Sequence, residues 1–111
     1  MSQRIAESDW KRFRQLHSIA LERFCQKILS EVESVSTDGS KNFHQRYLDI
    51  YKIIERRDKE LSKVFNDPRR SAALMQLVSI YDLGLITDAE LNGFSQEVVC
   101  VVQSFNNGRH A

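Results

Sequence analysis

Ala72-Ala73-Leu74-Met75-Gln76-Leu77-Val78-Ser79-Ile80-Tyr81-Asp82-Leu83-Gly84-Leu85-Ile86 carries eleven apolar side chains and one charge, Asp82. Upstream of it, Glu55-Arg56-Arg57-Asp58-Lys59-Glu60 is charged at every position. Apolar surface gains free energy by leaving water, whereas an unpaired charge loses it. The first segment is therefore a buried element and the second a solvated one. Gly84 suits the left-handed position that ends a helix, and Leu85 can fold back onto the last turn. Thr87-Asp88-Ala89-Glu90 follows as a capping box, with Ile86 and Leu91 placed as a hydrophobic staple.

Working outward, the apolar segment is reached through Asn66-Asp67-Pro68. Asp67 can cap and Pro68 suits a first helical position, so a third helix is expected over about 68–83. Lys41–Phe65 forms the second helix, with Phe43, Tyr47, Ile50, Ile54, Leu61, Val64 and Phe65 on one face. Arg57 and Asp58 flank that face. Ser36-Thr37-Asp38-Gly39-Ser40 is a loop short enough to turn the chain back antiparallel.

The first helix is expected over 9–35, capped by Ser8 with Asp9 in the first turn. Trp10, Phe13, Leu21, Phe24, Cys25, Ile28, Val32 and Val35 share a broad face, while Leu16, Ile19 and Ala20 lie off it. The N-terminal half is thus apolar on two sides and meets two neighbours. A fourth helix covers 88–105 and is interruptible near 93–95, where Ser95 can cap a new start. The expected fold is all-α: a single domain with four helices in an antiparallel bundle, and frayed ends at 1–7 and 106–111.

Composition agrees. The chain has 111 residues, 41% hydrophobic and 28% charged, with one Pro and four Gly. That length buries a core without staples, and so few breakers favour long helices. A net charge of +1 points to no particular partner. No apolar run approaches the ~20 residues of a membrane span, and the N-terminus has no apolar signal core. Cys25 and Cys100 fit no metal-ligand or redox spacing and read as buried thiols of a cytoplasmic protein.

No glycine-rich phosphate loop, HExxH, EF-hand loop or GxSxG is present, and no cofactor or metal is expected. Four features remain. His17, with Trp10 and Arg14 nearby, could line a small-ligand pocket, or be a core histidine bonded to a neighbour. Lys52, Arg56, Lys59 and Lys63 form a basic stripe opposite the apolar face of the second helix. It could follow a nucleic-acid backbone, or be a solvated face supported by the Glu55–Lys59 spacing. Arg69 and Arg70 could hold an anion, or pair with Asp67 or with acidic groups of another helix. The 72–86 segment could be wholly core or could offer Met75 to a partner.

Leu77–Phe94, with Gly84-Leu85-Ile86-Thr87-Asp88-Ala89-Glu90-Leu91, resembles the helical hairpin of the short C-terminal domain (SHOCT) family. Asn92, Gln96 and Glu97 stand where that family has lysines. The resemblance implies a small oligomerisation or interaction hairpin. The whole chain looks like the small all-helical proteins of bacteria. The expected function is a non-enzymatic cytoplasmic interaction or regulatory module that self-associates, its partner a protein or a second copy. Nucleic-acid association through the basic residues is the alternative, and a small-ligand pocket at Trp10, Arg14 and His17 a further one.

Overall fold

A computed structural model describes residues 5–110. The described chain is all-helical, with five helices where four were expected: α1 (Glu7–Ser36), α2 (Phe43–Phe65), α3 (Ala73–Asp82), α4 (Asp88–Leu91) and α5 (Gln96–His110). The extra helix comes from the break at Gly93-Phe94-Ser95. α5 runs through Asn106 to His110, which the sequence places in a frayed tail.

The signals around Gly84 act as their chemistry requires. Gly84 has φ 73. Its N–H donates to the Tyr81 carbonyl at 3.0 Å, and the Leu85 N–H donates to the Ile80 carbonyl at 3.1 Å. This is the double bond of a Schellman ending, and Leu85 is buried. The Glu90 N–H donates to Thr87 Oγ1 at 3.0 Å, and the Thr87 N–H donates to the Glu90 carboxylate at 2.8 Å.

Two boundaries differ from expectation. α3 starts at Ala73, not Pro68. Asn66 is extended, Asp67 is left-handed at φ 54, and residues 69–72 form a turn. The residue before a proline resists the right-handed helical region, so α2 cannot continue into α3 there. α1 begins at Glu7 with Ala6 at its cap, so Ser8 lies inside the helix. Asp9, expected only to favour the helix dipole, is buried and bonded to another element.

The core sits at one end of the molecule. Phe13, Leu16, Ala20 and Phe24 of α1 pack with Val64 and Phe65 at the end of α2. Ala73, Leu77, Val78 and Ile80 of α3, then Leu85, Ile86, Leu91, Phe94, Val98, Val99 and Val102, close the cluster. Met75 is exposed, as its position off the α3 apolar face suggests. Leu16 and Ala20, off the main apolar face of α1, are buried on a second side. Ile19 is left exposed.

α2 departs furthest from expectation. Of the seven residues on its apolar face only Val64 and Phe65 are buried. Between Phe24 of α1 and Val64 of α2 no residue is buried. The C-terminal half of α1 and most of α2 therefore stand out from the core as a two-helix arm. The molecule measures 53 × 29 × 22 Å with a radius of gyration of 16.8 Å. A compact chain of this length would have about 13 Å.

Candidate functional site

The arm is held together by polar groups along a half-buried apolar seam. Ile28, Val32 and Val35 of α1 and Ile50 and Ile53 of α2 are half-buried along it. Glu31 lies between two arginines, accepting from Arg56 at 3.1 Å and Arg57 at 3.0 Å. Arg57 also donates to Glu60 at 2.7 Å, and its guanidinium stands 6.0 Å from the Phe24 ring centroid at the base of the arm. At the tip, Asn42 caps α2 by accepting from the Gln45 N–H at 2.8 Å. Arg46 donates to the carbonyls of Lys41 at 2.9 Å and Ser36 at 3.2 Å, the latter one of the orphan acceptors of the α1 C-terminus. Lys41 pairs with Asp49 at 2.8 Å.

What the seam does not use is apolar. Phe43, Tyr47, Tyr51 and Ile54 are 82%, 64%, 58% and 50% exposed. Their spacing of four, four and three residues puts them in one row, about 16 Å long at the helical rise. Arg46 stacks over the Phe43 ring at 4.8 Å, which orients the first member of the row. Leu29 on α1 is 67% exposed. In an antiparallel pair, positions one flank round from the seam fall on the same side of both helices. By that rule Cys25 and Leu29 of α1 share a face with Phe43, Tyr47 and Ile54 of α2. A shallow groove lined by Ile19, Cys25 and Leu29 continues this face along α1. Cys25 is half-buried and Cys100 exposed, against the expectation of buried thiols, because nothing covers those sides of α1 and α5.

The opposite face of α1 is stitched to the segment 83–95 by a row of polar side chains. Buried Asp9 accepts from the Ser95 N–H at 2.8 Å and from Ser95 Oγ at 2.7 Å. Arg12 donates to the Glu90 carbonyl at 2.7 Å and lies over the Phe94 ring at 5.5 Å. Arg23 grips the Glu90 carboxylate with both nitrogens, at 2.7 and 2.9 Å, and donates to the Leu85 carbonyl at 2.9 Å. Lys27 reaches the Leu83 carbonyl at 3.3 Å. The Arg23 fork, and then the Thr87 N–H, hold the Glu90 carboxyl down to about 2 from its ordinary 4.5. This latch fixes α4 and α5 on α1, and so fixes the platform from which the arm projects. Sequence reasoning missed it. The available signal was the spacing of residues 9, 12, 16, 20, 23 and 27, which lie on one side of a helix and mix charge with apolar groups.

The basic residues singled out in the sequence do not converge. Lys52, Lys59 and Lys63 are exposed along the outer side of α2, and Arg56 among them is tied to Glu31. Arg69 pairs with Asp67. Arg70 crosses to the N-terminus of α1, donating to the Ile5 carbonyl at 2.9 Å and to Glu7 at 2.8 Å. Because α3 starts at Ala73, these two arginines stand in a turn and not beside free helix N–H groups.

Trp10, Arg14 and His17 line one side of α1, as expected. Arg14 covers the Trp10 ring at 5.5 Å. His17 lies 5.7 Å from the Phe13 ring and 5.3 Å from the Phe65 ring. Its Nε2–H donates to the Phe65 carbonyl at 3.0 Å, satisfying an orphan acceptor in the last turn of α2. That imidazole is a structural hydrogen-bond donor between two helices.

Among the described residues no group of three His, Cys, Asp or Glu side chains is placed to hold a metal ion. No described helix is long and apolar enough to cross a membrane. No protein-family model, curated protein or solved structure matches this chain.

Proposed function

We propose that this protein is a non-enzymatic protein–protein interaction module that self-associates through its arm. The observation that carries the reading is the row Phe43, Tyr47, Tyr51 and Ile54, exposed on a helix that gives the core only its last turn. Single exposed apolar residues are ordinary on a monomer, whereas a contiguous row on a protruding element marks a contact surface. Aromatic side chains are what interface centres use, since they bury much area for little loss of rotamer freedom.

Area supports the same reading. The chain exposes 7418 Å². A monomeric protein of its 12.9 kDa exposes about 6,300 Å². The excess is of the order of the ~800 Å² that each partner contributes to a standard interface.

Sedimentation equilibrium tests this. The chain is expected to self-associate, and Tyr47→Lys is expected to shift it to monomer by placing a charge at the middle of the row. Circular dichroism should show an unchanged helix content for that variant. A wild-type chain that stays monomeric at millimolar concentration would refute the proposal.

A further inference from the structure

We infer that the occupant of the arm's open face is the same face of a second copy, packed antiparallel, so that two hairpins complete a four-helix bundle about a twofold axis beside Tyr51. The inference rests on the self-association proposed above and adds its geometry.

The arm is half of such a bundle in its own construction. It presents two antiparallel helices whose apolar residues lie on one shared flank, Cys25 and Leu29 from α1 and Phe43, Tyr47, Tyr51 and Ile54 from α2. A single docked helix would cover one edge of this surface; a second hairpin covers both. A twofold contact uses one patch twice, so the patch must complement itself.

Charge decides the direction. The N-terminal end of the row is flanked by His44 and Arg46, and the C-terminal end by Glu55 and Asp58, with His44, Glu55 and Asp58 all exposed. In a parallel pairing Asp58 would face Asp58 and Glu55 would face Glu55, which is repulsive. In the antiparallel pairing Glu55 and Asp58 are kept away from their own copies and lie against the partner's turn that carries His44. Centred on Tyr51, this register places Phe43 against the partner's Asp58 turn and Tyr47 against the partner's Ile54, while the two Tyr51 rings meet at the axis.

Disulfide trapping reads the geometry directly. In a background carrying Cys25→Ser and Cys100→Ser, one preparation has Phe43→Cys and a second has Asp58→Cys. Both positions are exposed, so neither change threatens folding. Mixed and mildly oxidised, the two are expected to give mainly the mixed 43–58 disulfide, with little of either homodimer. Tyr51→Cys is expected to crosslink to itself, which reports contact at the axis in either direction. Homodisulfides 43–43 and 58–58 would overturn the antiparallel arrangement while leaving arm pairing intact. A dimer by sedimentation that forms none of these crosslinks would overturn the arm as the contact and leave only self-association. A monomer overturns both.

Discussion

The two ends of this molecule use the same residue types to opposite effect. At the core end, Phe13, Phe24 and Phe65 are almost completely buried, and Leu77, Leu91 and Val102 are sealed from water. Along the arm, Phe43, Tyr47, Tyr51 and Ile54 occupy helical positions of the same periodicity and stay at least half exposed. The difference is the number of neighbours. The core end brings together all five helices, α2 by its last turn, whereas the arm has one helix facing one other. Two helices can cover only the seam between them, and any apolar residue a flank away stays in water. Helical periodicity thus identifies a face that would be covered, and topology decides whether anything covers it.

The sharpest way to break the comparison is to truncate at both ends. Leu77→Ala or Leu91→Ala should cost about 2–5 kcal/mol in urea unfolding, because each leaves a cavity in a dry cluster. Tyr47→Ala, measured at concentrations too low for association, should fall within about 0.5 kcal/mol of the parent. A comparable loss at Tyr47 would mean the arm is part of the folded unit's core after all.

The latch between α1 and the 83–95 segment separates the ends more finely. Glu90→Gln should destabilise by about 1–2 kcal/mol at neutral pH, since it weakens charge-assisted bonds that water partly reaches. The sign with pH follows from the depressed carboxyl. Its contribution is present in full above the ordinary 4.5 and is lost as pH falls toward about 2. The parent should therefore lose stability over that window more steeply than Glu90→Gln does. Equal pH profiles for the two would remove the Arg23–Glu90 pair from the account.

A smaller effect than that of the Arg23–Glu90 pair is expected at Gly93. A Cβ there would overlap the Arg12 guanidinium. The obstacle is the far end of a flexible side chain, so Gly93→Ala should displace Arg12 from the Glu90 carbonyl and cost about 1 kcal/mol. Combined with Arg12→Ala, the two changes should cost less than the sum of each alone, a double-mutant cycle that places them in contact.

Much of the body was legible because its signals are local. The Schellman ending at Gly84, the Thr87–Glu90 capping box and the restart at Ser95 depend on residues within one turn of each other, and each is present. A boundary where one local signal admits two outcomes, and contacts between distant groups, were not legible. The start of α3 moved to Ala73 because Asp67 and Pro68 force a turn, and Arg70 in that turn bonds to residues more than sixty positions away. Asp9 reads as a first-turn acid in sequence, but its partner is Ser95, and no spacing rule along one helix connects them. For the candidate site, Phe43, Tyr47 and Ile54 were visible as part of one face of α2 and their destination was misread as core, while Tyr51, further round the helix, was not read as part of that face.

Side-chain chemistry over three to five residues settled that the chain is helical, that the apolar segment 72–86 is buried, and how its C-terminal end at Gly84 is closed. Tertiary structure alone decided which apolar faces are covered. That outcome depends on how many helices meet at each point along α1, a property of chain path and not of periodicity. It left the first half of α1 wrapped on two sides and sent the second half, with α2, into solvent carrying the row that begins at Phe43.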